Sequence, residues 1–260
     1  MTDPDQVSTA IATVTRSMVQ EFDLPTILQN VADQTRMCFQ ADSAVVVLLD
    51  PRRVAGTAAL HIVAEASIDA VNTHSVLSTV GPALDSARSG ATALVTDLVE
   101  ADDTRWPEYR RRALDAGLRG VRAYPILGGR APLGSVVIHT AQPWRPNQPN
   151  QAGQVFADLT ALALAAGVGD GHASIRIDDA VDAVLEGTTA VATAVGIIAE
   201  AQGLDISAAR LLLTRLARAR GITPTDHARA ILEAQRENPR NPGVAGVFDS
   251  PELPIPPRID

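Results

Sequence analysis

A chain of 260 residues, 46% of them hydrophobic and 20% charged, has material for one large or two small domains. A formal net charge of −8 excludes wholesale attraction to a polyanion, so any nucleic-acid contact must come from a local basic face. The single cysteine, Cys38, excludes both an intrachain disulfide framework and a cysteine-rich metal site. It falls in the apolar pattern Ile27, Val31, Thr35, Cys38, which favours a buried small hydrophobe over a reactive thiol. All 22 basic residues are arginine, and aromatics make up only 3%, so the cores must be built from Ala, Val, Leu and Ile. The acidic, polar start MTDPDQ is unlike a secretory leader, and no apolar run approaches the length needed to span a bilayer, so the expectation is a cytoplasmic protein.

In chain order, Val7, Ile11, Val14 and Met18 recur at helical spacing, and Pro25 opens a second helix to about residue 39. The β-branched run SAVVVLL at 43–49 predicts a strand that ends at Asp50-Pro51, and 60–66 a second strand. Residues 82–89 read as a short helix stopped by Gly90, followed by a strand at 93–96. A helix at 110–116 ends at Gly117, and strands at 120–126 and 133–139 pair as a hairpin through Gly128-Gly129. Residues 147–154 then lead into an apolar helix at 155–166.

The order helix, Gly, strand ending Tyr124-Pro125-Ile126, turn, and Leu133-Gly134-Ser135-Val136-Val137 resembles a GAF domain, as does GPALDSARSGATALVTDL at 81–98. The resemblance covers about residues 6–166. It implies an α+β fold, a GAF-like antiparallel sheet with flanking helices, and a small-molecule pocket near the connection between Ile68 and Arg122. The residues themselves name no ligand: that connection holds no cysteine to attach a chromophore and no clear cyclic-nucleotide motif. His61, His74 and His139 read as hydrogen-bonded structural histidines rather than metal ligands. The acids Glu100, Asp102, Asp103 and Glu108 read as a solvated loop and helix start, and Arg110, Arg111 and Arg112 as a wet helix face. We expect neither a metal nor a cofactor.

Gly167, Gly169 and Gly171 interrupt the chain, Ser174 can cap the next helix, and residues 167–176 form a candidate hinge. From there Ile177, Val184, Val191 and Ile198 fall on one seam of a heptad and Val181, Thr188 and Val195 on the other. This spacing predicts a parallel coiled coil and a homodimer; the alternative is an amphipathic helix packed on its own domain.

The helix continues into a three-helix pattern with Ala194, Gly196 and Gly203 in or closing the first helix, Ala209, Leu213 and Ala217 in the second, and Asp226, Ala228 and Ile231 in the third. These residues resemble the ANTAR domain, a small all-α module that binds RNA hairpins and relieves transcription termination. The chain departs from that family at Val195, where the family is basic, at Arg210, where it is aromatic, and at Gly221 and Pro224, where it has Asn and Leu. The output module is assigned to 177–237, followed by a Pro-rich tail at 238–260 in which Val247, Phe248, Leu253 and Ile255 are the residues suited to docking.

In the second helix of this module Ala209, Leu212, Leu213 and Leu216 form the expected buried stripe, with Arg210, Thr214 and Arg218 stacked opposite and Arg215 beside them. Together with Ala194 and Gly196 they are the candidate RNA-binding residues, since arginines can hold phosphates and stack on unpaired loop bases. The expected function is signal-responsive antitermination on RNA hairpins. Two alternatives stay open: a ligand-sensing dimeric scaffold with a degenerate output domain, and a DNA-binding regulator in which helices two and three, joined by Gly221-Ile222-Thr223, act as a helix-turn-helix. An enzyme is not expected, because no acid/base pair, phosphate loop or metal-ligand spacing stands out.

Overall fold

The strand β1 (Ser43–Leu49) is built almost wholly of β-branched and aliphatic residues because it lies inside a five-stranded sheet and is covered on both faces. The computed structural model describes residues 4–20, 22–50, 60–68, 77–100, 105–129, 131–144, 150–167, 177–238 and 246–248. Two helices, α1 (Pro4–Gln20) and α2 (Leu24–Phe39), precede β1, and β2 (Leu60–Ser67) follows it. Next come α3 (Pro82–Ser89), β3 (Ala93–Val95), α4 (Pro107–Asp115), β4 (Gly120–Gly128), β5 (Ala131–Thr140) and α5 (Asn150–Ala166). The sheet order is β2-β1-β5-β4-β3, with every neighbouring pair antiparallel, so the fold is α+β as expected.

Alternation along the strands sends successive side chains to opposite faces and so builds two separate cores. Val46, Leu48, Tyr124, Ile126 and Ile138 meet Leu28, Val31, Phe39 and Phe156 on the face covered by α1, α2 and α5. Val45, Val47, Val121 and Val137 meet Ala83, Ala87, Tyr109 and Leu118 on the other. On the helical face Gly153 lets α5 lie against the Tyr124 ring: a Cβ there would fall 2.2 Å from a ring carbon. Arg122 is buried on this same face, its guanidinium 4.2 Å from the centre of the Trp144 ring, and Trp144 in turn packs 5.5 Å from Phe39. Burial pushes the Arg122 guanidinium below its usual range.

Local chemistry fixes the ends of these elements. The Asp23 carboxylate accepts from the backbone N–H of Thr26 at the start of α2, with Pro25 in the first turn. Gln40 closes α2 in the left-handed region at φ 50°.

The chain divides into two compact units, Met1–Leu185 and Glu186–Asp260, and the division falls inside α6 (Ile177–Gln202). Within the first unit Val181 and Val184 join the helical-face core. Within the second, Ala190, Val191, Ala194, Val195 and Ile198 pack with residues of α7 (Ile206–Arg220) and α8 (Pro224–Glu237). Asp205 caps α7 by accepting from the Ala208 N–H at 2.8 Å, and Thr223 caps α8, which begins at Pro224.

Residues Val181–Gln202 are long and apolar enough to cross a membrane by length and composition, contrary to the sequence reading that no run comes close. Their apolarity has another use here, since Ala194, Val195 and Ile198 are fully or almost fully buried among the chain's own helices. Residues 168–176 of the expected hinge at 167–176, the Ser174 cap, His74, Asp102, Asp103, and residues 239–245 and 249–260 of the expected tail at 238–260 lie outside the described residues.

Candidate functional site

One row of side chains crosses all five strands on the face away from α1 and α2. The register pairs Ser67 with Ser43, Ser43 with His139, His139 with Val121, and Val121 with Val95. Three adjacent members are polar, and Ser43 and His139 are fully buried. The Ser43 Oγ and the His139 Nδ1 are 3.1 Å apart, while the Ser67 Oγ is buried with no hydrogen-bond partner among the described residues. Buried hydroxyls without partners are uncommon and mark a place that a polar atom from elsewhere can satisfy.

The helices over this face are fastened to it by further hydroxyls. Ser86 of α3 donates to the Ala123 carbonyl, and Ser135 of β5 donates to the Ala83 carbonyl. Gly81, just before α3, has φ 59°, and a Cβ there would lie 2.7 Å from Cγ of Tyr109. That close approach seats the Tyr109 ring in the core, where its hydroxyl is buried without a partner among the described residues and its ionisation is pushed far above the usual phenol range. Tyr109 therefore stays neutral at any physiological pH and can donate a hydrogen bond.

Asp97 and Arg119 pin the far end of this region by a two-point ion pair, with Arg119 Nε 3.0 Å from Asp97 Oδ1 and the second nitrogen on Oδ2. Arg119, through its hydrogen bond, holds the Asp97 carboxyl below the usual carboxylate range. Arg110 ties α4 down by donating to the carbonyls of Leu98 and Val99, so it does more than wet a helix face. Arg111 and Arg112 do remain exposed, paired with Glu108 at 2.7 and 2.8 Å. His61 is exposed beside Asp50 at 3.3 Å, and no cluster of metal-ligating side chains occurs among the described residues. Cys38 sits in the opposite core, 1% exposed, with its thiol pushed up by burial. It cannot form a covalent link to anything held on the Ser43–His139 face.

In the second unit the predicted residues separate. Ala194 faces the core, whereas Gly196 is exposed with open space where a Cβ would be. Arg215 and Arg218 are exposed; Arg210 and Thr214 are half-buried, and the Thr214 hydroxyl donates back to the Arg210 carbonyl at 3.1 Å. The centre of the solvent face is thus Leu211, Arg215 and Arg218 at i, i+4 and i+7, with Leu211 61% exposed. Leu212, expected in the buried stripe, is half-buried, and Ala209, Leu213 and Leu216 are buried as expected. The seam residues Val181, Val184, Val191, Val195 and Ile198 are buried by the chain itself, Thr188 is half-buried, and the Ile177 side chain lies outside what is described.

Spacing gave no hint of Tyr109, Ser67 or Leu211 as site residues. The parity of Ser43 with Val45 and Val47 does place it on this face, but nothing local shows that His139 lies across from it.

Among known proteins, the GAF domain family matches residues 23–164. No curated protein sequence matches the chain. Similar solved structures include the chromophore-binding domain of the bacteriophytochrome RpBphP3 from R. palustris, at 14% identity and a TM-score of 0.47, covering 63% of this chain and 62% of that one. The phycocyanobilin-bound GAF domain of a cyanobacterial phytochrome matches at 14% identity and a TM-score of 0.48, over 61% of this chain and 93% of that one. Free methionine-R-sulfoxide reductase from Neisseria meningitidis, in complex with its substrate, matches at 13% identity and a TM-score of 0.48, over 63% and 92%. The chain spans somewhat under two thirds of the bacteriophytochrome domain. Because the family match covers more than half of the chain, from the cap of α2 to the end of α5, the protein belongs to the GAF domain family.

Proposed function

We propose that this protein is a cytoplasmic ligand sensor whose GAF domain holds a small molecule against the Ser67–Ser43–His139 row. The observation that carries the reading is the polar row Ser67, Ser43 and His139 across three adjacent strands on one sheet face, with the Ser67 and Tyr109 hydroxyls lacking partners among the described residues. A small amphipathic molecule with acceptor groups fits that chemistry, because Tyr109 is a neutral donor and the rest of the face is aliphatic. Attachment is non-covalent, since Cys38 belongs to the other core. The test compares native and denaturing mass spectra of the full chain as purified. A small molecule retained only under native conditions, and lost in Tyr109→Phe, supports the reading; retention unchanged in that variant removes Tyr109 from the site.

The output reading is RNA-hairpin binding and antitermination by an ANTAR-like module at 177–237. What favours it is an α7 with four arginines and no acid, and an exposed Leu211 flanked by Arg215 and Arg218, which no described carboxylate pairs. Guanidinium groups beside an exposed aliphatic side chain suit unpaired loop bases and their phosphates better than a smooth duplex. Fluorescence anisotropy with a tandem-hairpin RNA against duplex DNA of equal length decides between this reading and a helix-turn-helix regulator. Binding of neither leaves the sensing scaffold.

A further inference from the structure

At its outer strand the aliphatic face that carries the Ser67–Ser43–His139 row ends in a charge. Glu65 of β2 pairs with Val45 of β1, and the Val45 side chain lies in the core on the face away from α1 and α2. Directly paired side chains share a face, as do residues two apart on one strand, so Glu65 stands beside Ser67 on that face. Roughly 7 Å of strand separates the two positions.

Glu65 is half-buried, and among the described residues no ion pair or side-chain hydrogen bond engages its carboxylate. Arg119 is committed to Asp97, and Arg110 to the carbonyls of Leu98 and Val99. His61 of the same strand pairs with Leu48, which belongs to the helical-face core, so it points to the opposite side, beside Asp50. A charge on an edge strand also serves to keep foreign strands from pairing with it. Here that purpose is met by another group: Gln29 of α2 donates to the Glu65 backbone carbonyl at 2.7 Å and closes the edge at this residue.

We propose that Glu65 is the counter-ion of the sensed ligand, and that this ligand carries a compact cation, a primary ammonium or an amidinium, at one end and hydrogen-bond acceptors at the other. The assignment rests on the reading of this face as a ligand site and adds the ligand's charge to it. An ammonium has three donors, enough to bridge the Glu65 carboxylate and the Ser67 hydroxyl, which is buried without a partner among the described residues. Acceptors at the far end suit the neutral Tyr109 hydroxyl, which can only donate to them or stay orphaned. An anion is repelled by the same carboxylate. A neutral molecule covers Glu65 without compensating the water it displaces, whereas a cation replaces that water by a charge-assisted hydrogen bond.

Amide NMR of the full chain at neutral pH tests this with two probes of matched size. One is para-(aminomethyl)benzamide, a cation at that pH; the other is para-(hydroxymethyl)benzamide, which is neutral. The expected result is that the cation shifts the amide signals of Glu65, Ser67 and His139 and binds about tenfold or more tighter than the alcohol. Glu65→Gln keeps the size and removes the charge, so it should bring the two probes to equal affinity. It should leave thermal stability unlowered, because the carboxylate has no partner to lose. The preference of the unaltered chain is read before any variant is made, so a Gln protein that failed to fold would leave the test standing. Equal affinity of the two probes for the unaltered chain overturns the proposal, as does a preference that survives in Glu65→Gln or the absence of shifts with either probe. The ligand-sensor reading is judged separately, on the molecule retained in native mass spectra: retention lost in Tyr109→Phe but unchanged in Glu65→Gln upholds that reading and overturns this one.

Discussion

Ser43 and His139, 96 residues apart in the chain, meet at 3.1 Å between the central strand of the sheet, β5, and its neighbour β1. The pair is fully buried, so each partner prevents a desolvated polar atom in the other. Replacing either one should therefore cost more than the bond itself is worth. We expect Ser43→Ala and His139→Leu each to lower the stability of the GAF domain by about 1–3 kcal/mol. The double variant should lose less than the sum of the two, because no orphaned partner remains. Urea unfolding followed by tryptophan fluorescence measures this cleanly, since both tryptophans, Trp106 and Trp144, belong to the first unit. Additive losses would mean that the two side chains do not support each other.

The Asp97–Arg119 pair makes a prediction about acid. Arg119 lowers the Asp97 pKa in the folded chain, so the contribution is present above the ordinary aspartate value of 3.8 and is lost as pH falls through the lower folded value. Tryptophan-monitored stability should fall as pH drops below about 4, and Asp97→Asn should flatten part of that fall. Glu108, whose pKa is lowered by Arg111 and Arg112, titrates in the same direction and accounts for some of the remaining slope. An unchanged acid slope in Asp97→Asn would show that Arg119 does not lower the Asp97 pKa on folding.

The elements of the GAF domain were legible in the sequence because each has a strong local signal: the SAVVVLL run of β1, Gly90 after α3, the Gly128-Gly129 turn between β4 and β5. Their assembly into two cores follows from the period-two alternation. The site was less legible for a physical reason. A row across a sheet joins residues from distant strands, and register is set by packing that no local pattern encodes. Tyr109 shares its buried face with Trp106 and Ala113, an apolar stripe too short to stand out in the arginine-rich PEYRRRALD, and the absence of a side chain at Gly81 leaves room for its ring. In the second unit the sequence stacked Arg210, Thr214 and Arg218 opposite the buried stripe and gave Leu211 no place, whereas the structure half-buries Arg210 and Thr214 and exposes Leu211, because how far a helix is rotated about its axis is set by the helices it packs on.

The seven-residue repeat of α6 carries the third prediction. A heptad of valines serves a dimer seam and an intrachain core equally well, and here the chain's own residues already bury Val184 and Val191. Val184→Asp should destabilise the GAF domain by about 3 kcal/mol or more, since it leaves an unpaired charge in that core, and should shift the tryptophan transition. Val191→Asp should leave that transition in place and reduce the helicity of the second unit instead. Light scattering supplies the opposite outcome: folded monomers from both variants, where the unaltered chain is a dimer, would return these residues to an intermolecular seam.

The last prediction concerns the output face, where exposure ranks the arginines. Arg215 and Arg218 are exposed, whereas Arg210 is half-buried beside Thr214. If the module grips a hairpin loop, Arg215→Ala and Arg218→Ala should each weaken binding by about 1.5–3 kcal/mol, and Arg210→Ala by less. The loss should shrink as salt rises, since part of each contact is release of counterions from the RNA. Leu211→Asp should also weaken binding by placing a like charge against phosphate. Val195 behaves differently, because it is 2% exposed and packs among Ala194, Ile198 and Ile231. A lysine there would have to reach out of the core to meet RNA, so Val195→Lys should lower the helicity and thermal stability of the unit before it adds any affinity. Tighter hairpin binding by a fully folded Val195→Lys protein would show instead that position 195 opens to solvent in the binding-competent form.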